Sequence, residues 1–216
     1  MTSKLHAVLF DYGNVLCPMP QPSDFQELSD VAGIELNQFL GSLWRYRLDY
    51  DRGTLDSASY WHKIGSENSQ ELSEDLIGKL VATDISLWMH PSPILLTWAR
   101  DLRKGGVKTA VLSNMPADHS AHLRANAQWL DYFDHKVFSG EMGVVKPDAE
   151  IYHACLRGLG VQPEHALFID DNAANVEGAR ALGIESIRFE SIAQLAADVR
   201  LLGLPAPLVE GSSPGA

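Results

Sequence analysis

The stretch LHAVLFDYGNV, residues 5–15, places a short apolar run directly before an aspartate and a glycine. The run LHAVLF has the length and composition of a buried strand, and Asp11 follows at its carboxyl end. Similar runs recur along the chain and alternate with helical patterns. We predict further strands at 107–112, 136–138, 166–169 and 186–189. This alternation indicates an α/β protein with a Rossmann-like parallel sheet, covered by helices on both faces.

The segment that follows the first strand breaks the alternation, because it contains helical patterns and no strand-like run. Prolines mark both of its edges, at positions 18, 20, 22, 91 and 93. We predict a helical cap domain at 17–90, inserted into a Rossmann-like catalytic core of 1–16 and 91–209, and a flexible tail at 210–216. An apolar stripe at helical spacing is expected to form the inner face of the cap: Leu36, Phe39, Leu40, Leu43, Trp44 and Leu48.

Composition narrows the function classes. The 216 residues carry 17 basic and 28 acidic side chains, a net charge of −11, and no run of lysines or arginines. Nucleic acids and anionic membranes are therefore poor candidate partners. No segment approaches the roughly 20 apolar residues of a membrane span, and the N-terminus does not resemble a signal peptide. With only two cysteines, the chain fits a reducing cytoplasm.

Four polar stretches lie at or just after predicted strand ends: 10–15, 112–114, 145–148 and 169–172. Alone, each is typical of a turn or a helix cap. Together, at one edge of a parallel sheet, they would gather three carboxylates, a hydroxyl, an amide and an ammonium group. Clustered carboxylates require a cation, and hard oxygen ligands suit Mg²⁺. The set predicts a phosphoryl-transfer site in which a carboxylate can act as nucleophile.

In this order, the four stretches resemble the motifs of the haloacid dehalogenase-like (HAD) superfamily. The resemblance covers about residues 5–189 and is greatest to phosphatases with a helical cap inserted after the first motif. DYGNV shares its glycine with the sugar-phosphate phosphatases, such as those acting on glucose 1-phosphate. The resemblance implies a magnesium-dependent hydrolase of a small phosphorylated metabolite, with a sugar phosphate as the expected substrate. It also implies an aspartyl-phosphate intermediate.

The same resemblance implies a role for each motif residue. Asp11 is the nucleophile. Ser113 and Asn114 hold the phosphoryl oxygens, and Lys146 neutralises both the nucleophile and the phosphoryl group. The implied ligands of Mg²⁺ are the carboxylates of Asp11 and of Asp170 or Asp171, and the backbone carbonyl of Gly13.

Outside the motifs, the cap carries its densest basic group at positions 45, 47 and 52. A solvated helix face is the ordinary explanation, but Arg52 precedes Gly53 at a predicted helix end. We choose Arg52 as the candidate contact to the distal part of the substrate. Two places are open for Trp44, the wall of a substrate pocket and the core of the cap, and the core is the default expectation. His119 and His122 are expected to face solvent, since no third metal ligand accompanies them.

One departure from the family pattern concerns Gly13. Most phosphatases of the superfamily have there a second aspartate, which acts as general acid and base. Such help is typically worth about 10²–10⁴ in rate. Three explanations stay open: the leaving group needs little protonation, another residue supplies the proton, or the reaction is not phosphate ester hydrolysis.

Two alternative functions remain. The first is a 2-haloacid dehalogenase, although the first motif of those enzymes has its glycine one residue later, followed by threonine. The second is a catalytically weak binding member of the fold, which the presence of Asp11 and Lys146 disfavours. Monomer and homodimer are both open.

Overall fold

A computed structural model describes residues 5–209, so the predicted tail at 210–216 lies outside the described residues. Five parallel strands form one sheet in the order β3-β2-β1-β4-β5. The predicted Rossmann-like α/β fold is confirmed. The strands are β1 (Ala7–Phe10), β2 (Lys108–Ser113), β3 (His135–Phe138), β4 (Ala166–Asp170) and β5 (Glu185–Arg188).

Helices cover both faces of the sheet and fill the segment between β1 and β2. Two short 3₁₀ turns, Gln128–Tyr132 and Pro163–His165, precede β3 and β4. The helices are α1 (Pro22–Ala32), α2 (Leu36–Arg52), α3 (Ser57–Glu67), α4 (Glu74–Leu87), α5 (Pro93–Lys104), α6 (Ala117–Asn126), α7 (Ser139–Met142), α8 (Ala149–Leu159), α9 (Ala173–Ala181) and α10 (Ile192–Val199).

The central position of β1 explains its continuous apolar sequence. Val8 and Phe10 pack into one apolar cluster, and Ala7 and Leu9 pack into another on the opposite face. All four residues are fully buried. A strand with helices on both sides has no polar face, so its sequence does not alternate.

Helices α1–α4 pack around an apolar cluster of their own, whose fully buried members include Leu28, Phe39 and Trp61. Helix α5 then returns the chain to the sheet, with Ser92 as N-cap and Pro93 in its first turn. The exact boundaries of cap and core, 17–90 against 1–16 and 91–209, stay a prediction. None of the helices in residues 5–209 combines the length and apolar character needed to cross a bilayer.

The expected inner stripe of α2 is wrong at two positions. Phe39 and Leu43 are buried as expected, but Trp44 and Leu48 are 45% and 49% exposed. The stripe at helical spacing is wider than the face that α1 and α3 cover. Trp44 therefore lies at the margin of the cap, where it lines a cleft.

Candidate active site

Three side chains of the predicted site come from the carboxyl ends of adjacent strands. Asp11 directly follows β1, Ser113 ends β2 and Asp170 ends β4. Because β1 lies between β2 and β4, these ends meet at one edge of the sheet. Lys146 reaches the same place from the loop between α7 and α8.

The ammonium group of Lys146 lies between two carboxylates. Its Nζ is 2.6 Å from Asp11 Oδ1 and 2.7 Å from Asp170 Oδ2, and its side chain is 1% exposed. Burial by itself lowers the pKa of a lysine, but the two carboxylates outweigh it and raise the pKa of Lys146 above its ordinary value. The site therefore contains a fixed positive charge in direct contact with the candidate nucleophile.

The two carboxylates differ in their surroundings. Burial and the nearby charge of Asp170 raise the pKa of Asp11, against the opposing effect of Lys146. Burial also acts on Asp170, but Lys146 and donors from the chain prevail and lower the pKa of that group. Its oxygens accept the Asn172 backbone N–H at 2.8 Å and the Asn175 amide at 3.1 Å. Asp170 is thus a firmly held anion that orients the lysine.

A third carboxylate completes an acidic cluster. Asp171 is half-buried and accepts a hydrogen bond from Asn14 Nδ2 at 2.8 Å. One carboxylate oxygen from each of Asp11, Asp170 and Asp171 can be chosen so that all three lie within 4.8 Å of one another. Such a set of hard oxygen donors suits Mg²⁺, which also relieves the repulsion among the three carboxylates.

Asn114 is held in a different way from the neighbouring Ser113. Its Nδ2 donates to the backbone carbonyl of Lys146 at 3.0 Å, and its Oδ1 accepts the Lys146 N–H at 2.8 Å. This two-point contact fixes the backbone that carries the lysine. The hydroxyl of Ser113 donates a long bond, 3.3 Å, to the carbonyl of Asn114. Ser113 and Asn114 both line the cleft beside Asp11, and their contacts to phosphoryl oxygens stay a prediction.

Residues 5–183 match the haloacid dehalogenase-like hydrolase family. The chain belongs to this family. As a HAD-like hydrolase it is 26% identical to the sesquiterpene phosphatase AstK of Aspergillus oryzae, over 88% of this chain and 92% of that one. It is also 26% identical to the (S)-2-haloacid dehalogenase of Pseudomonas sp. strain YL, over 83% and 77% of the two chains. Two further curated relatives are much longer, and the chain spans 19% and 34% of them.

The fold of this HAD-like hydrolase is also found among solved structures. A HAD family enzyme of Bacteroides thetaiotaomicron, solved in complex with magnesium and inorganic phosphate, superposes with a TM-score of 0.72. The two are 23% identical, and the match covers 88% of this chain and 98% of the other. Likeness at this level of identity establishes the common fold.

A cleft with about 410 Å³ of empty space opens in the HAD-like hydrolase beside the first motif. Its wall combines aromatic rings with a few charged groups, the usual composition of a small-molecule site. Both the cap and the core contribute to it. The lining residues are Tyr12, Gly13, Trp44, Arg47, Asp51, Trp88, Ser113, Asn114, Met115 and His119.

The cap arginine in this wall is Arg47, not the expected Arg52. Its Nε lies 2.9 Å from Asp51 Oδ1, and its Nη1 lies 3.0 Å from Asp84 Oδ2. Arg52 is half-buried outside the lining, with Nη1 3.6 Å from Asp148 Oδ2. The assignment of Arg52 to substrate binding stays a prediction, and Arg47 is the arginine that the fold places at the cleft.

The expectation that His119 faces solvent is wrong. Its side chain is 1% exposed and lies between two carboxylates, with Nδ1 3.1 Å from Asp118 Oδ1 and Nε2 3.2 Å from Asp84 Oδ2. Burial lowers the pKa of a histidine, but these anions outweigh it and raise the pKa of His119. Burial likewise acts on Asp84, yet Arg47 and His119 lower the pKa of that carboxyl to about 2. His119 on α6 thereby joins α2 and α4 of the cap.

This buried pair is expected to make stability depend on pH. In the unfolded chain His119 titrates near 6.5, and folding raises its pKa. Its contribution is therefore fully present below that value and is lost as the pH rises through the folded pKa. The Asp84 contribution is present above 3.8 and is lost as the pH falls towards about 2.

We therefore expect wild type to have a higher Tm than His119→Gln near pH 6, and the difference to shrink from there upward as the pH rises through the raised pKa of His119 in the folded protein. Thermal unfolding across this range measures the difference. The exposed His122 on the same helix provides the control variant His122→Gln, for which no such trend is expected. A Tm difference that stays constant across the range would contradict a charged His119.

Proposed function

We propose that this hydrolase is a magnesium-dependent phosphatase that cleaves a small phosphorylated metabolite, a sugar phosphate, through an aspartyl-phosphate. One observation carries the proposal: the Asp11 carboxylate lies in contact with the buried Lys146 ammonium, beside two further carboxylates. Phosphoryl transfer depends mostly on positioning and charge neutralisation, and this arrangement supplies both.

The magnesium ligands proposed are Asp11, the Gly13 carbonyl and Asp171. Between the two acidic neighbours we choose Asp171, because the oxygens of Asp170 already accept hydrogen bonds from Lys146 and two asparagine groups. When bound, Mg²⁺ would neutralise the phosphoryl oxygens and draw the carboxylates together. A dehalogenase attacks carbon and has no use for such a metal site, so the acidic cluster favours the phosphatase.

In this proposal the protein's own groups perform the chemistry as follows. Asp11 attacks phosphorus, while Lys146 offsets the negative charge on the nucleophile and the phosphoryl group. Asn114 keeps the lysine in place through its two bonds to the Lys146 backbone. The Ser113 hydroxyl is available to donate to a phosphoryl oxygen. Water then hydrolyses the aspartyl-phosphate and regenerates Asp11.

A sugar as leaving group is supported by the chemistry of the cleft wall. The half-exposed indole of Trp44 offers a flat apolar surface for the C–H face of a sugar ring, and the Asp51 carboxylate can accept hydrogen bonds from hydroxyl groups. The guanidinium of Arg47 is already paired with two carboxylates. Because these carboxylates already neutralise the charge of Arg47, the cleft favours an uncharged, hydroxyl-bearing leaving group over one with a second anionic group.

Trp44→Ala is expected to lower kcat/KM for the preferred sugar phosphate about five- to tenfold, since an aromatic contact is worth roughly 1 kcal/mol. Trp44 is half exposed, so little fold stability is at stake. Leu48→Ala, at an equally exposed site on the same helix, is the matched control and should change kcat/KM little. Equal effects of the two substitutions would remove Trp44 from the binding site.

The decisive experiment for the proposed function is a phosphate-release screen over a panel of monophosphate esters, with Mg²⁺ and with EDTA. We expect release from sugar phosphates with Mg²⁺ and none with EDTA. Failure on every ester would contradict the phosphatase, and halide release from 2-haloacids in the presence of EDTA would establish the dehalogenase instead.

We also expect a cytoplasmic location, in keeping with the free, buried thiols of Cys17 and Cys155.

A further inference from the structure

At Gly13 the first motif has no side chain that could donate a proton. A Cβ at this position would lie 3.5 Å from Cζ3 of Trp88, so the indole occupies the space beside the glycine. Tyr12 holds Trp88 in place by donating from its hydroxyl to the Trp88 carbonyl. A phosphatase acting on an ordinary alcohol ester still requires a proton for the leaving oxygen.

A buried histidine lies in the wall of the same cleft. His119 belongs to the first turn of α6, six residues after Ser113 at the end of β2, and it lines the cleft together with Gly13 and Ser113. Among the cleft-lining side chains, it is the one whose ordinary pKa is near neutrality. His119 therefore combines a side chain suited to proton transfer with a position in the same cleft as Gly13 and Ser113.

We propose that His119 is the general acid of this enzyme, donating the proton from Nε2 to the leaving-group oxygen, and that it then acts as the base for the attacking water. This inference rests on the proposed phosphatase function. The proton that Gly13 cannot supply then comes from a core residue on α6, not from a residue of the cap.

The groups around His119 keep it protonated. Asp118, on its own helix, faces Nδ1, and Asp84 on α4 faces Nε2. On α2, the positive charge of Arg47 disfavours protonation of His119, whereas Asp51 contributes a further negative charge. The ring of Tyr50 packs edge-on against the His119 ring, with 6.0 Å between the ring centroids. Anions outnumber cations here, so burial does not remove the proton.

The Nε2 proton is also available. Nε2 is buried, and although it lies 3.2 Å from Asp84 Oδ2, it has no hydrogen bond of acceptable geometry among residues 5–209. The contact to Asp84 is a charge pair without the alignment of a good hydrogen bond, so a ligand oxygen in the adjoining cleft can compete with Asp84 for the Nε2 proton. Asp118, bonded to Nδ1 and to the Tyr50 hydroxyl, fixes the ring.

The proton balance closes over the cycle. As Asp11 bonds to phosphorus, the bond from phosphorus to the leaving oxygen breaks, its electron pair goes to that oxygen, and the oxygen takes the Nε2 proton. The alcohol departs and neutral His119 remains. Water then attacks phosphorus and gives a proton to Nε2, and the Asp11 carboxylate departs with the electron pair of its bond to phosphorus. Phosphate, free Asp11 and protonated His119 result.

The competing explanation is that His119 only holds the cap through Asp84. The two roles predict different dependence on the leaving group. An acid matters greatly for a poor leaving group and little for a good one, whereas loss of a structural contact lowers all rates alike.

The test compares wild type, His119→Gln and the control His122→Gln on phosphate esters of graded leaving-group pKa, from 2,4-dinitrophenyl phosphate to an alkyl phosphate. We expect His119→Gln to lose about 10²–10⁴ in kcat/KM on the alkyl ester but only a few-fold in kcat/KM on the dinitrophenyl ester, because kcat/KM reports the step in which the leaving group departs and not the later hydrolysis shared by all esters. The plot of log kcat/KM against leaving-group pKa then steepens. If His119→Gln loses the same factor on every ester while wild type is active, His119 is not the acid but the protein is still a phosphatase. If wild type is inactive on every ester, the acid role of His119 and the phosphatase function are both wrong.

A second variant leaves His119 in place. Asp84→Asn removes the anion at Nε2, so the alkaline limb of the kcat/KM profile for the alkyl ester should move to lower pH. An unmoved limb would overturn the proposal. The dinitrophenyl ester serves as the internal reference in the same protein, because departure of its leaving group needs little protonation and its kcat/KM should follow this limb only weakly.

Discussion

Asp11→Asn is expected to abolish turnover, lowering kcat by more than a thousandfold, because an amide is too weak a nucleophile to form the aspartyl-phosphate. The change is nearly isosteric, and the new carbonyl oxygen can still accept the bond from Lys146 Nζ. The measurement is phosphate release from the best ester found, with Mg²⁺ present. Thermal unfolding of the same preparation checks that the fold is retained.

The intermediate itself can be observed for this prediction. After brief incubation with ester and acid quenching, intact-mass analysis should show a phosphoryl adduct on wild type and none on Asp11→Asn. Residual activity above about a thousandth of wild type in the variant would exclude Asp11 as the nucleophile.

Lys146→Met is expected to reduce kcat by several orders of magnitude. The substitution keeps much of the side-chain volume but removes the only ammonium group within contact of Asp11 among residues 5–209. Asp11 and Asp170 then face each other without it, and an uncompensated buried charge costs about 3–5 kcal/mol of stability. A lower Tm should therefore accompany the lost activity.

Two measurements separate folding from chemistry in this variant. Equilibrium binding of a phosphate analogue such as vanadate, made well below the Tm, should weaken together with kcat. Lys104→Met, at a side chain that is 69% exposed, serves as the control and should match wild type. Near-normal turnover of Lys146→Met would show that the lysine does not act on the phosphoryl group.

Much of the candidate site could be predicted because it depends on local sequence and on one topological rule. Asp11 and Asp170 each follow an apolar run, and parallel strands bring their carboxyl ends to one edge. The side chain of Asn114 was harder to predict, because its partner is the backbone of Lys146, 32 residues later. Sequence spacing contains no information about such a contact.

The buried network at the cleft was missed for a general physical reason. Charged residues are rarely buried unless paired, so a lone histidine or arginine on a helix is by default assigned to the surface. Arg47, Asp84 and His119 lie on three different helices, and only their packing reveals the pairing. The available signal was an apolar stripe on α2 that is too wide for a single face.

The central place of β1 also determines when the site can exist during synthesis. Phe10 pairs with Val111 and Ile169, about 100 and 160 residues later in the chain. At the usual rates of translation, roughly 8–32 s pass between synthesis of the nucleophile and synthesis of the second of its two neighbouring strands. The apolar cluster of the cap, whose buried residues end at Leu80, is synthesised before both of these strands. The growing chain therefore remains inactive until its last acidic motif has emerged.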